Sequence, residues 1–135
     1  QEAMKKADLP EKNLQLVQTN YSIENGSKAF EKIMGGEERP TVVIGGNDVL
    51  AVGALRKAKE MGFRIPDDLS ITGFDDIELA QVVDPPLTTV HVPHRRMGTR
   101  AAQILVSLIN GEKFEKSEKL QTTIQFRGTL GHAPK

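Results

Sequence analysis

Three short stretches hold the side chains with chemistry to offer: Asn47 and Asp48 after Gly45-Gly46, Asp75 and Asp76 after Gly73-Phe74, and His91 and His94 after Val90. A carboxamide both donates and accepts hydrogen bonds, so the Asn47 amide can serve ligand hydroxyls, and a carboxylate accepts through two oxygens. Asn47 also suits a plain structural role, because an N-cap side chain satisfies a free N–H at a helix start. The two roles are compatible, and Asp48 is expected to assist the cap. Asp75 and Asp76 can act simply as turn formers. A divalent metal site needs more oxygen ligands than this stretch supplies. Glycoside hydrolysis needs carboxyl groups on opposite sides of a bond, which adjacent residues of one loop do not provide. His91 and His94 share a side only if strand geometry continues through Pro93, which disturbs it. Dinucleotide and P-loop glycine patterns are missing, and Ser22, Ser27, Ser70, Ser107 and Ser117 sit in no G-x-S-x-G context. The residues therefore point to binding, with no catalytic residue, metal or cofactor expected.

These groups need a frame. Residues 41–45 centre on Val42-Val43-Ile44, which reads as a strand buried on both faces. Asn47-Asp48 then opens a helical pattern in which Leu50, Ala51, Ala54, Leu55, Ala58 and Met61 recur every three or four residues, closed by Gly62. Upstream, residues 1–7 read as a helix end without an N-cap, as in a piece of a longer chain. Leu14, Leu16 and Val17 suggest a short strand. Ser22 caps a helix that buries Ile23, Phe30, Ile33 and Met34 and ends at Gly35-Gly36. Downstream, residues 69–73 form a strand that delivers Asp75 and Asp76 at its carboxyl end. If it runs parallel beside the first strand, those carboxylates share a rim with Asn47, as one crossover helix usually arranges. A short helix over 77–83, a strand over 88–92, a long helix over 95–110, a charged loop to Lys119, a strand over 120–126 and a frayed tail complete the pattern. The long helix carries Met97, Ala101, Ile104, Leu105 and Leu108 on one stripe, which calls for a cover. Strands alternating with helices make this an α/β fold, a mainly parallel sheet flanked by helices.

The totals narrow the partners. Eighteen Lys and Arg balance eighteen Asp and Glu in 135 residues, so the broad positive field of a free-standing DNA binder is missing. There is no Cys, hence no disulfide framework or thiol chemistry. No apolar run is long enough to span a membrane.

Three phrases in order carry a resemblance. Asn47-Asp48-x-x-Ala51-x-Gly53-Ala54, then Gly62-x-x-Ile65-Pro66-x-Asp68-Leu69-Ser70-Ile71-x-Gly73-Phe74-Asp75-Asp76, then Pro86-Leu87-Thr88-Thr89-Val90 resemble the C-terminal lobe of the effector domain in LacI/GalR-family transcriptional regulators. The resemblance implies a truncated periplasmic-binding-protein-like type I domain, with a small effector, expected to be a sugar, held between two lobes. It assigns residues 1–90 to the C-terminal lobe, 91–112 to a hinge crossover and a helix of the N-terminal lobe, and 113–135 to the return hinge, final strand and tail. A DNA-reading headpiece is expected ahead of this chain, and the protein is expected to be a cytoplasmic homodimer that binds operator DNA. Asn47, Asp75 and His94 are the implied effector contacts, with Asp48 and Asp76 supporting them. Val92 stands where the family often has Gln. Val52, Leu55, Leu79, Val82 and Val83 are the implied dimer surface. The alternative is a periplasmic sugar-binding protein of a transport system, against which the Ile65-Pro66-x-Asp68-Leu69-Ser70 and Pro86-Leu87-Thr88-Thr89 phrases speak.

Overall fold

The computed structural model describes residues 2–112 and 117–132. Expectations for residue 1, for 113–116 of the charged loop and for 133–135 lie outside the described residues. In chain order the elements are α1 (Glu2–Lys6), a 3-10 turn (Glu11–Asn13), α2 (Ile23–Met34), β1 (Val42–Ile44), α3 (Asp48–Glu60), β2 (Ser70–Asp75), α4 (Glu78–Val82), β3 (Thr88–His91), α5 (His94–Ile109) and β4 (Thr123–Gln125). The sheet order is β1-β2-β3-β4. β1 and β3 each run parallel to β2, and β4 returns antiparallel to β3. The sheet is thus mainly parallel, and the carboxyl ends of β1, β2 and β3 share one edge.

Local chemistry explains the helix ends. Ser22 accepts from Asn25 N, Asn47 accepts from Leu50 N, and Gly62 adopts φ +84° just past α3. Tertiary contact then decides how the helices sit. α2 and α3 approach so closely that a Cβ at Gly53 would lie 2.1 Å from Ile23 O, and one at Gly26 would lie 2.3 Å from Leu50 O. Ser27 Oγ donates to Gly53 O at 2.8 Å across this contact. Beneath the pair, Phe30, Met34, Leu55, Leu69, Ile71 and Leu87 form the core, each side chain contributing about 1.5–3 kcal/mol through burial. Phe63 meets Phe30 edge to face at 6.1 Å.

Four expectations change here. Leu14, Leu16 and Val17 form no strand: that segment finds no ladder partner among the described residues, and Leu16 stays exposed. β1 is buried on one face only. Val43 faces the core, while Val42 and Ile44 are 45% and 76% exposed, because the helices of the core lie on the Val43 side and leave Phe74 and Ile124 exposed as well. Val52 and Leu55 are 7% and 3% exposed within the single chain; the close α2–α3 packing buries them, so they offer no surface to a second copy. Of the other implied dimer residues, Leu79 and Val83 are partly buried against the core and Val82 is exposed.

The last correction concerns the tail. Residues 127–131 are stitched to the sheet rather than frayed. Arg127 N donates to Thr88 Oγ1, Gly128 N to Pro86 O, and Gly131 N to Ser70 Oγ. Thr129 O accepts from Ile71 N, Thr129 Oγ1 accepts from Thr88 N, and the residue is fully buried. This turn segment packs against the sheet at the start of β3 and supplies the acceptor for Ile71 N, which would otherwise lack a partner. α5 is different, since none of its residues is buried.

Candidate functional site

The sheet edge that receives the carboxyl ends of β2 and β3 opens into a concavity of about 840 Å³, lined among others by Asp75, Asp76, His91, Val92, His94 and Arg95. Such an edge is where open parallel sheets bind ligands. Each side chain arrives for a local reason. Asp75 is the last residue of β2 and pairs in register with His91 of β3. His94 begins α5, and its Nε2 lies 3.6 Å from Asp75 Oδ1. Asn47 caps α3 on the same rim, at the end of neighbouring β1, outside the concavity itself. Val92 is nearly buried and contributes an apolar wall.

The turn that presents Asp75 is strained. Asp75 and Asp76 have φ values of 111° and 56°, a region that costs a residue with a side chain about 1–3 kcal/mol. Such a conformation persists only when its surroundings over-determine it, and three partners do so here. Asp48 Oδ2 accepts from Ile77 N at 2.9 Å, Asp76 Oδ2 lies 2.9 Å from His91 Nδ1, and Arg127 Nη2 donates to Asp76 Oδ1 at 2.5 Å. Burial by itself pushes the Asp76 carboxyl up. The hydrogen bonds from Arg127 and His91, with their charges, outweigh it and hold the pKa below the usual carboxylate value.

Asp48 does not assist the cap as expected. It is fully buried, and its second oxygen accepts from Thr89 Oγ1 at 2.5 Å. One carboxylate thus ties the start of α3 to β3 and to the β2–α4 turn. Gly73 permits it: a Cβ there would meet Asp48 Oδ1 at 2.2 Å. Sequence reasoning gave no role to the Thr89 and Arg127 side chains. Thr89 looked like one more β-branched strand residue, and the only hint of Arg127 was a lone cation directly after the uncharged run 120–126.

The structure therefore joins Asp75 with His94 and Asp76 with His91, and sets Asn47 on their rim. The arrangement places carboxylate and imidazole groups in the lining of the concavity, with the Asn47 amide on the same sheet edge outside it. Asp76, occupied on both oxygens, braces the turn.

Residues 1–130 match the periplasmic binding protein-like domain. The HTH-type transcriptional repressor PurR of Vibrio vulnificus is 39% identical over 114 residues, which are 84% of this chain and 34% of that protein. A LacI family transcriptional regulator from Bifidobacterium animalis subsp. lactis superposes with a TM-score of 0.89 at 30% identity, over 98% of this chain and 47% of that one. Another from Enterococcus faecium, with bound ribose, gives 0.86 at 29% identity over 95% and 47%. The chain thus spans between a third and a half of the length of these relatives.

Proposed function

This chain belongs to the periplasmic-binding-protein-like domain family, in the form carried by LacI-family regulators, and from that premise we propose that it is the effector-sensing part of a bacterial transcriptional regulator. The effector is a small hydroxylated molecule, a sugar or sugar derivative. Asp75 grips a pair of its hydroxyls, the Asn47 amide both donates to it and accepts from it, and His94 contacts it from the start of α5. The protein acts by binding and carries no catalytic step. The observation that carries this reading is the Asp75 carboxylate, held on a positive-φ turn at the carboxyl edge of the sheet beside His94. Ribose bound to the Enterococcus faecium relative supports the ligand class.

Residues 1–90 form one lobe, 91–112 cross a hinge into a second lobe, and 113–135 return. The lack of any buried residue in α5 supports placing that helix against the other lobe. Binding between lobes shifts the balance of two lobe arrangements by the difference in affinity for them. That shift changes the affinity for operator DNA of a headpiece encoded outside this chain. The working form is a cytoplasmic homodimer in which Val82, with Leu79 and Val83, contributes to the contact. The regulator names borne by relatives favour this role over solute transport.

The test uses the intact gene product. Ribose and a panel of mono- and disaccharides are titrated calorimetrically, and operator affinity is measured with and without the sugar that binds. A sugar-dependent change in DNA affinity that disappears in Asp75→Ala is expected. No change with any sugar, or an unaltered response in Asp75→Ala, overturns the proposal.

A further inference from the structure

The Asp75–Asp76 turn needs an external clamp, and the residue that reaches it from farthest along the chain is Arg127, 51 positions beyond Asp76. Its guanidinium is shared between two acceptors: Nη2 donates to Asp76 Oδ1, and Nη1 donates to Leu87 O at 2.9 Å. Its backbone N–H donates to Thr88 Oγ1 at 2.9 Å. One residue thereby ties three things together: the return segment after β4, the start of β3, and the turn that aims Asp75. The Arg127 and Asp76 side chains are 18% and 11% exposed, so water competes weakly for the pair. Arg127 itself stays out of the concavity, where His91, the other partner of Asp76, is part of the lining.

We propose that Arg127 is a positioning residue for effector binding: it touches no effector, but its grip on Asp76 fixes the backbone at Asp75 and so aims the carboxylate that does. This rests on the reading of Asp75 as an effector ligand. A planar guanidinium fork serves two acceptors at fixed angles, and a lysine ammonium on a flexible stem does not reproduce that geometry. A misplacement of the Asp75 carboxylate by a fraction of its hydrogen-bond length is enough to weaken binding steeply.

The experiment compares wild type, Arg127→Gln, Arg127→Lys, Asp75→Ala and the Asp75→Ala/Arg127→Gln double variant of the intact gene product. It has two readouts. Amide hydrogen exchange by mass spectrometry reports on the turn without any ligand, and calorimetry with ribose reports on binding. In Arg127→Gln, exchange in a peptide covering 74–78 is expected to rise by about tenfold or more, while α3 keeps its protection. Ribose binding is expected to weaken by about tenfold, with a smaller loss of the same kind in Arg127→Lys, which keeps the charge. The double variant is expected to bind ribose no worse than Asp75→Ala alone, because a residue acting through Asp75 has nothing left to position. Unchanged exchange at 74–78 overturns the proposal. So does wild-type ribose affinity in both Arg127 variants, or a full additional loss on top of Asp75→Ala, which a purely structural role would produce. If wild type binds no ribose, the effector reading of the preceding subsection loses its chosen probe, and the exchange readout alone decides whether Arg127 holds the turn.

Discussion

Replacing Asp48 by Ala tests whether one buried carboxylate holds the site's frame. Asp48 is fully buried and accepts from Thr89 Oγ1 at 2.5 Å and from Ile77 N at 2.9 Å. Hydrogen bonds to a charged acceptor contribute about 1.5–3 kcal/mol each, so the two together amount to roughly 3–6 kcal/mol. Removing the carboxylate also relieves the cost of burying a charge, which offsets part of that sum. Its place at the first position of α3, where the helix dipole favours an anion, limits the offset. A net loss of about 3 kcal/mol is therefore expected. With an unfolding entropy near 2.1 cal/mol/K per residue, the 135 residues give about 0.28 kcal/mol/K, so the midpoint falls by about 10 °C. Urea and thermal unfolding followed by far-UV circular dichroism measure both quantities. Thr89→Val removes the donor from the other side, and the Asp48→Ala/Thr89→Val cycle should show a coupling of at least about 1 kcal/mol, since the double variant leaves no buried hydroxyl unpaired. Stability of Asp48→Ala within about 1 kcal/mol of wild type, or zero coupling, would refute the reasoning.

Asn47→Ala should cost about 1 kcal/mol of stability through the lost cap, whereas Asn47→Ser keeps a cap; equal loss of sugar affinity in both, seen by calorimetry, separates the ligand role from the cap. Asp75→Gly relieves a φ of 111° and should raise urea stability by about 1 kcal/mol while sharply weakening effector binding. Gly53→Ala would set a Cβ 2.1 Å from Ile23 O, so α2 and α3 must separate, and a loss of about 2–3 kcal/mol in chemical denaturation is expected. Asp76 has a folded pKa below its unfolded value, near 3.9. Its contribution is therefore complete above that unfolded value and is lost as pH falls through the folded one. Stability measured between pH 6 and pH 2 should fall less steeply below about pH 4 in Arg127→Gln than in wild type.

Much of this molecule is legible along the chain because its causes are short-ranged. The caps at Ser22 and Asn47 and the stop at Gly62 each act within a few residues, and the alternation of strand and helix implies parallel neighbours and a shared rim for Asn47 and Asp75. The phrases around Asn47, Asp75 and Thr88 name the family before any coordinates. Other features depend on which distant groups meet. Whether Val52 and Leu55 face a second copy or the core depended on how closely α2 approaches α3, a distance governed by Gly26 and Gly53 together. Leu14, Leu16 and Val17 have strand composition, but a strand also requires a partner ladder, and none of the described residues provides one.

Composition, periodicity and local caps determined the fold class, the order of elements from α2 onward and the rim on which the polar residues emerge, since those follow from interactions between near neighbours. Only the folded chain decided that Asp48 meets Thr89 and that Asp76 meets Arg127, pairs 41 and 51 positions apart. In each pair the distant member, Thr89 or Arg127, carries no local signal, and the pairing exists because β3, β4 and the return segment bring the two ends to within a hydrogen bond of each other.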